Sequence, residues 1–281
     1  MSRPRDPRTG APAPGLRRRV AALLQSGPFH TLELAERALG LRGPPAALSS
    51  AVFSLLGDDA RFQVDARGIW SLAPGAGIPG PALSTLSYAV VDVETTGGAW
   101  RRGDRVTEVA VVPVTGGVIR DGLGTLVNPG RRIPPKIQGL TGITDPMVAG
   151  APPFEGVAPQ VEAALHGRIF VAHNVQFDWG FIRTELLNAL GAAPELPLLC
   201  TVRLGRFLIP GLRRYNLDAL TRHFGIPVHQ RHRAYGDALA TARLLLHLLQ
   251  EAEAQGIADL PALEAALQRR SAPRSVRSPL R

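Results

Sequence analysis

Three short stretches place acidic and histidine side chains at spacings that can do chemistry. The first is Val90-Val91-Asp92-Val93-Glu94-Thr95-Thr96-Gly97-Gly98. Val90 and Val91 belong to an apolar strand. Side chains alternate along a strand, so Asp92 and Glu94 share one face. Two neighbouring carboxylates repel each other and are costly to bury. Divalent cations with oxygen ligands are the natural way to offset that cost. Glycine after the strand lets the backbone approach a ligand closely. A bare Asp-x-Glu is nonetheless common and weak alone. The second stretch is Val171-Ala172-His173-Asn174-Val175-Gln176-Phe177-Asp178. Here a strand ends and a helix opens about Asn174, with Asp178 in its first turns. Such a carboxylate either complements the helix dipole or serves a site. The third is His232-Arg233-Ala234-Tyr235-Gly236-Asp237, opening a long apolar helix. Alone, His232 reads as a loop histidine and Asp237 as a helix-start charge.

The elements that must position these residues follow from periodicity and turn signals. Tyr88–Glu94, Val106–Val114 and Val118–Val127 read as strands, with Thr115-Gly116-Gly117 as a hairpin signal between the last two. Phe154–Leu165 reads as a helix, Ile169–Ala172 as a short buried strand, and Val175–Leu190 as a helix stopped by Gly191. Thr201–Leu208, Leu217–Phe224 and Ala234–Glu253 are further predicted helices, and Asp259 caps one more over Asp259–Arg270. The expectation is an α/β fold, a mixed sheet flanked by helices.

Ahead of it lies a separate pattern. Leu16–Ser26, Leu32–Leu39 with Thr31 as N-cap, and Pro45–Leu56 read as three helices. Two β-like runs follow, Arg61–Asp65 and Gly68–Leu72, with Trp70 as core. Three helices and a hairpin resemble a winged-helix module. The expected division is a disordered basic N-terminus over 1–15, a winged-helix-like domain over 16–74 and a linker over 75–85. A catalytic domain over 86–255 and a C-terminal helix with a basic tail over 256–281 complete it.

Composition sets the class. The 281 residues carry a formal charge of +9. Ser87–Leu267 holds 17 basic and 17 acidic residues, so the surplus sits in the flanks. Five arginines and no acid occupy Gln268–Arg281. Basic flanks attract polyanions by counterion release; a codon bias toward Arg, suggested by the single Lys136, gives the same count. The one cysteine, Cys200, allows no internal disulfide and fits a reducing cytoplasm, where it reads as a small buried hydrophobe. No apolar run reaches the ~18 residues of a membrane span, and the N-terminus lacks the apolar stretch of a secretory signal.

Taken together, the three constellations occur in an order that resembles the DEDDh, or DnaQ-like, 3′-5′ exonuclease superfamily, which includes the proofreading epsilon subunit of bacterial DNA polymerase III. The resemblance extends over Leu126-Val-Asn-Pro-Gly130, Ile133-Pro-Pro135 and Leu140-Thr-Gly-Ile-Thr-Asp145. A histidine five residues before Asp237 marks the histidine branch. The tyrosine branch would place Tyr where this chain has Arg233. The resemblance implies a ribonuclease H-like fold and two-metal hydrolysis. Asp92, Glu94 and Asp237 would hold the catalytic Mg²⁺ or Mn²⁺. Asp92 would bridge to a second ion about 3.5–4 Å away, supported by Asp178 directly or through water. His232 would accept the water's proton, as imidazoles titrating near neutrality can. The products would be nucleoside 5′-monophosphates. Thr95, Thr96 and Gly97 would line the terminal-nucleotide pocket, with His173, Asn174 and Phe177 near it. Structural roles compete for His173 and Phe177, as a backbone-bonded ring and a core aromatic. Trp100 with Arg101 and Arg102 either touches phosphates or forms an ordinary loop.

The expected substrate is a single-stranded or frayed 3′ end of DNA, in proofreading or repair, with a DNA polymerase as candidate partner and no membrane. RNA trimming stays open, because the five residues do not report the sugar. A non-catalytic nucleic-acid or polymerase-docking protein is disfavoured by the presence of all five. Sequence-specific regulation is disfavoured because Pro45–Leu56 offers few base-reading side chains.

Overall fold

The computed structural model describes residues 14–73 and 80–271. Residues 1–13 of the expected disordered N-terminus, 75–79 of the expected linker and the tail beyond Ser271 fall outside them; Pro14 and Gly15, expected to be disordered, instead open a helix. The described chain divides into two compact units: residues up to 82 together with 253–265, and residues 83–252 together with 266–271.

The first unit contains α1 (Pro14–Leu24), β1 (Phe29–His30), α2 (Thr31–Arg37), α3 (Pro45–Leu56), β2 (Phe62–Val64) and β3 (Ile69–Leu72). The strands form an antiparallel sheet in the order β1-β3-β2. Val20, Leu24, Leu34, Leu56 and Trp70 are buried between helices and sheet. One expectation is corrected here. The N-cap of α2 is His30, which accepts from Leu32 N, and not Thr31. The Thr31 hydroxyl is committed elsewhere: it donates to Gly68 O at 2.9 Å and accepts from Trp70 Nε1 at 3.0 Å.

The second unit begins with β4 (Ser87–Thr95), β5 (Val106–Thr115), β6 (Val118–Ile119) and β7 (Leu123–Leu126). Then come α4 (Pro135–Thr141), α5 (Asp145–Ala149), α6 (Phe154–Leu165), β8 (Ile169–Ala172) and α7 (Val175–Leu190). It continues with β9 (Leu198–Cys200), α8 (Thr201–Leu208), α9 (Leu217–His223) and α10 (Ala234–Ala254); of the last helix, α11 (Leu260–Ser271), residues 260–265 belong to the first unit. The sheet runs β6-β5-β4-β8-β9, with β7 on β5. It is mixed: β4 and β5 are antiparallel, while β4, β8 and β9 are parallel. Gly116 and Gly117, both at positive φ, turn β5 into β6. The single strand expected over Val118–Val127 is two. The chain breaks after Ile119, and a Cβ at Gly122 would lie 2.5 Å from Val111 O. The helices α4 and α5 and the strand β9 were not expected.

Alternation along β4 decides what each face does. Ala89, Val91 and Val93 enter a core with Phe154, Val161, Phe170, Phe181 and Leu186 from α6, β8 and α7. Asp92 and Glu94 therefore face the other way. Each large buried apolar side chain contributes about 1.5–3 kcal/mol. That core is what lets the strand carry a carboxylate crowd on its far face. Cys200 is buried in the same core. Among the described residues no helix is long and apolar enough to cross a membrane.

Candidate active site

The strand β8 ends at Ala172, and its last residue paired with β4 is Val171, opposite Val90. Asp92 and Glu94 thus project beyond the carboxyl end of β8, where open α/β sheets leave a crevice for ligands. The turn His173-Asn174 leads directly into α7, whose first turn carries Asp178. Asp178 is buried, and its Oδ1 accepts from Val93 N at 3.3 Å. A backbone amide between the two strand carboxylates thereby fixes the third.

Asp237 and His232 arrive on the first turn of α10 and the loop before it. His232 N donates to Asp237 Oδ2 at 3.1 Å. The loop is tightly bent: Gln230 and His232 have φ of 54° and 60°. It also presses on the helix. A Cβ at Gly236 would lie 2.3 Å from His229 O, so only glycine fits. Ligand atoms of Glu94, His232 and Asp237 lie within 4.8 Å of one another, as a metal site requires. The structure therefore brings Asp92, Glu94, Asp178, His232 and Asp237 to one place.

Electrostatics describe the same crowd. Asp92 keeps some solvent contact, yet loss of hydration is the main cause that pushes its carboxyl well above the usual range. Asp178, Asp237 and Glu94 add to it, in that order. Burial, then Asp237 and Glu108, push Glu94 up to about 7. Burial pushes Asp178 up to about 7 against two backbone N–H groups. Burial also raises Asp237, opposed first by Arg231. Four carboxylates that resist ionisation together suit a divalent cation. Asp237 Oδ1 fits too, being buried without a hydrogen bond among the described residues.

A stability consequence follows from these directions. Carboxyls held at about 7 when folded bind protons more tightly than when unfolded. Their contribution is complete below the unfolded values of about 4 and is lost as pH rises through about 7. The melting temperature of the metal-free protein, minus that of Glu94→Gln, is expected to fall between about pH 4 and 7. Thermal melts in EDTA across that range read it, and a difference that is flat or rising rejects the account of Glu94.

Sequence reasoning missed three supporting ion pairs. Arg231 bridges Asp237 and Asp218, the latter at 2.6 Å. Glu108 lies opposite Glu94 on β5. It accepts from Arg233 Nη2 at 2.7 Å and Nε at 3.0 Å, and from Ala234 N at 2.9 Å. Glu108 thus caps α10 and ties the helix bearing Asp237 to the sheet bearing Glu94. A signal existed: one carboxylate inside the apolar run Val106-Thr-Glu-Val-Ala-Val-Val112 needs a buried partner.

The remaining candidates are placed as follows. Thr95 Oγ1 donates to Gly97 O at 2.6 Å. Thr96 is buried, accepting from Arg105 N at 3.0 Å. A Cβ at Gly97 would meet Asp104 at 2.3 Å. His173 Nδ1 lies 2.9 Å from Thr201 Oγ1. Burial and then Arg231 push its pKa down to about 4, so it is neutral at physiological pH. Asn174 is exposed and makes no side-chain cap. Phe177 packs on Phe181 with centroids 5.1 Å apart. Trp100 lies against Phe181 and over Gly180, where a Cβ would come within 2.7 Å of its ring; it is a packing residue of α7.

The profile of the RNase T exonuclease family matches residues 89–245, the span that carries all five residues. The chain belongs to this exonuclease family. Within it, 169 residues are 39% identical to the 3′-5′ exonuclease DinG of Bacillus subtilis (strain 168), covering 60% of this chain and 18% of that protein. Over 165 residues the exonuclease domain is 37% identical to the DNA polymerase III subunit epsilon of Aquifex aeolicus (strain VF5), covering 59% of this chain and 81% of the relative. The crystal structure of E. coli exonuclease I in complex with a dT13 oligonucleotide superposes with a TM-score of 0.53 at 17% identity, covering 60% and 42% of the two chains. That likeness shows the fold, a ribonuclease H-like mixed sheet. The chain thus spans less than a fifth of the length of DinG but most of the epsilon subunit.

Proposed function

We propose that the chain is a two-metal 3′-5′ exonuclease that releases nucleoside 5′-monophosphates from single-stranded or frayed 3′ ends of DNA. The observation that carries this reading is the convergence of four ionisation-resistant carboxylates and one imidazole beside the carboxyl end of β8. Asp92, Glu94 and Asp237 would hold one Mg²⁺ or Mn²⁺, and Asp92 with Asp178 the other. Ions held there supply the positive charge that acidifies a water and stabilises a leaving oxygen. His232 accepts the proton of the attacking water. The bond from phosphorus to the 3′ oxygen of the preceding nucleotide breaks, leaving a 5′-phosphate on the released residue and a new 3′ hydroxyl on the strand. The Thr95–Gly97 turn, Asn174 and Phe177 receive the terminal nucleotide. Thr96 and His173 hold the loops that present it.

DNA, as the substrate, is supported by the epsilon-subunit likeness, which also makes a replicative polymerase the protein partner to assay. The first unit, with its three helices and three-stranded sheet, is proposed as a winged-helix-like module that adds nucleic-acid affinity.

The test is a time course on 5′-labelled DNA and matched RNA, with Mn²⁺ or EDTA, for the wild type and Asp237→Ala. A metal-dependent ladder shortening from the 3′ end of DNA, lost in the variant, is expected. Degradation of RNA alone would replace the substrate, and degradation of neither would sink the enzymatic reading. A chain starting at Ala82 is expected to keep the chemistry and bind more weakly at low salt. Unchanged binding removes the first unit from the substrate account. A pull-down that recovers no polymerase subunit removes that partner.

A further inference from the structure

Ser87–Leu267 is charge-balanced, so a cluster of one sign stands out. Such a cluster lines an open groove of about 610 Å³ between the α8–α9 loop and α9. Its walls are Leu212, Arg213, Arg214, Ala219, Arg222 and His223, with no carboxylate among them. The three arginines and the histidine are exposed. Arg213 and Arg214 make no ion pair among the described residues.

The loop that carries them is held in shape. Tyr215 Oη donates to Ile209 O at 2.9 Å, and the Arg206 guanidinium lies 5.9 Å from the Tyr215 ring centroid. Gly205 lets α8 press against α9, since a Cβ there would fall 2.9 Å from Leu220. The groove is linked to the carboxylate site through α9. Asp218 and Arg222 stand four residues apart on α9, Asp218 pairs with Arg231, and Arg231 pairs with Asp237.

We propose that this groove is a track for the phosphodiester backbone of the strand whose 3′ end occupies the active site. The inference rests on the exonuclease reading, because a strand held by its 3′ end must leave the site along some surface. Guanidinium groups match phosphate oxygens in planar, paired hydrogen bonds. Three of them at one groove neutralise successive phosphates without reading bases, which suits an enzyme that must shorten any sequence. An acidic protein surface is the competing occupant. The link to Asp237 through Asp218 and Arg231 favours the strand, whose end the carboxylate site processes.

The test is binding of a labelled oligothymidylate, read by fluorescence anisotropy in EDTA across a salt series. The full chain is compared with the triple variant Arg213→Ala/Arg214→Ala/Arg222→Ala. Each lost phosphate contact removes about 0.7 from the slope of log K against log salt, so the slope is expected to drop by about 2. The triple lysine variant is expected to recover most of it. Hydrolysis of thymidine 5′-p-nitrophenyl phosphate, too small to reach the groove, is expected to be unchanged. A wild-type salt slope in the triple alanine variant overturns the track and leaves the groove to another anionic partner. Loss of small-ester hydrolysis would instead place these arginines in the active site and also overturn it. Because binding is measured without metal, a failure of the exonuclease reading shows up separately, as wild-type protein that binds the strand and does not cut it.

Discussion

Asp92→Asn is expected to lower kcat on DNA by a factor on the order of 10³ or more while raising the melting temperature of the metal-free protein at pH 8. The two effects have one origin. On the proposed two-metal reading Asp92 would help hold both ions, and transition-state charge stabilised by such ions is worth several kcal/mol. At about 1.4 kcal/mol per tenfold, several kcal/mol is about three decades of rate. The same carboxylate is raised well above its ordinary range in the metal-free fold, by burial first and then by Asp178, Asp237 and Glu94. Asparagine keeps the volume and removes one charge from the crowd, so the fold loses repulsion and gains stability. Alanine would open a cavity and obscure that gain. Steady-state kinetics with Mn²⁺ and thermal melts in EDTA read both quantities. Activity within tenfold of the wild type would remove Asp92 from the metal site. A fall in melting temperature would show that crowding is not what Asp92 contributes.

What the sequence made legible, and what it hid, divides along the range of the interactions. The alternation of β4 is local, so the shared face of Asp92 and Glu94 could be read from spacing. Asp178 and Asp237 sit in first helical turns whose start signals are also local. The order of these three constellations did the rest. The partners that steady them were not legible, because nothing near Glu108 in sequence points to Arg233, which lies 125 residues away. Arg231 reads as one more basic loop residue until Asp218 and Asp237 are seen on either side of it. Short elements escaped for a different reason. Helix α4 has seven residues and α5 has five, and β9 has three, too few to establish a period. Prolines at their starts or just ahead of them read as loop. The Thr31 cap failed because a hydroxyl has few bonds to give, and Trp70 and Gly68 took them from a distance.

The second large effect is expected at His232, where the choice of substituent decides what is learned. Its backbone has φ of 60°, a left-handed conformation that Asn tolerates well and Ala does not. His232→Asn therefore keeps the loop and removes the proposed base. Loss of a positioned general base costs about 10²–10⁴ in rate, and that fall in kcat is expected with KM and melting temperature unchanged. His232→Ala is expected to lose the same activity and, in addition, to melt lower, because strain enters the bend that seats Arg231 and Asp237. Two roles are geometrically open to the imidazole, since its ligand atom lies within 4.8 Å of both Glu94 and Asp237 oxygens. Titration calorimetry with Mn²⁺ separates them. A base leaves metal affinity intact in His232→Asn, whereas a ligand lowers it along with the rate. The carboxylates alone already supply an oxygen-rich set of the kind that Mg²⁺ and Mn²⁺ prefer. A nitrogen ligand is then unnecessary, and intact affinity with lost turnover is the outcome the site's chemistry favours. Wild-type turnover in His232→Asn would transfer proton acceptance to solvent or to one of the carboxylates.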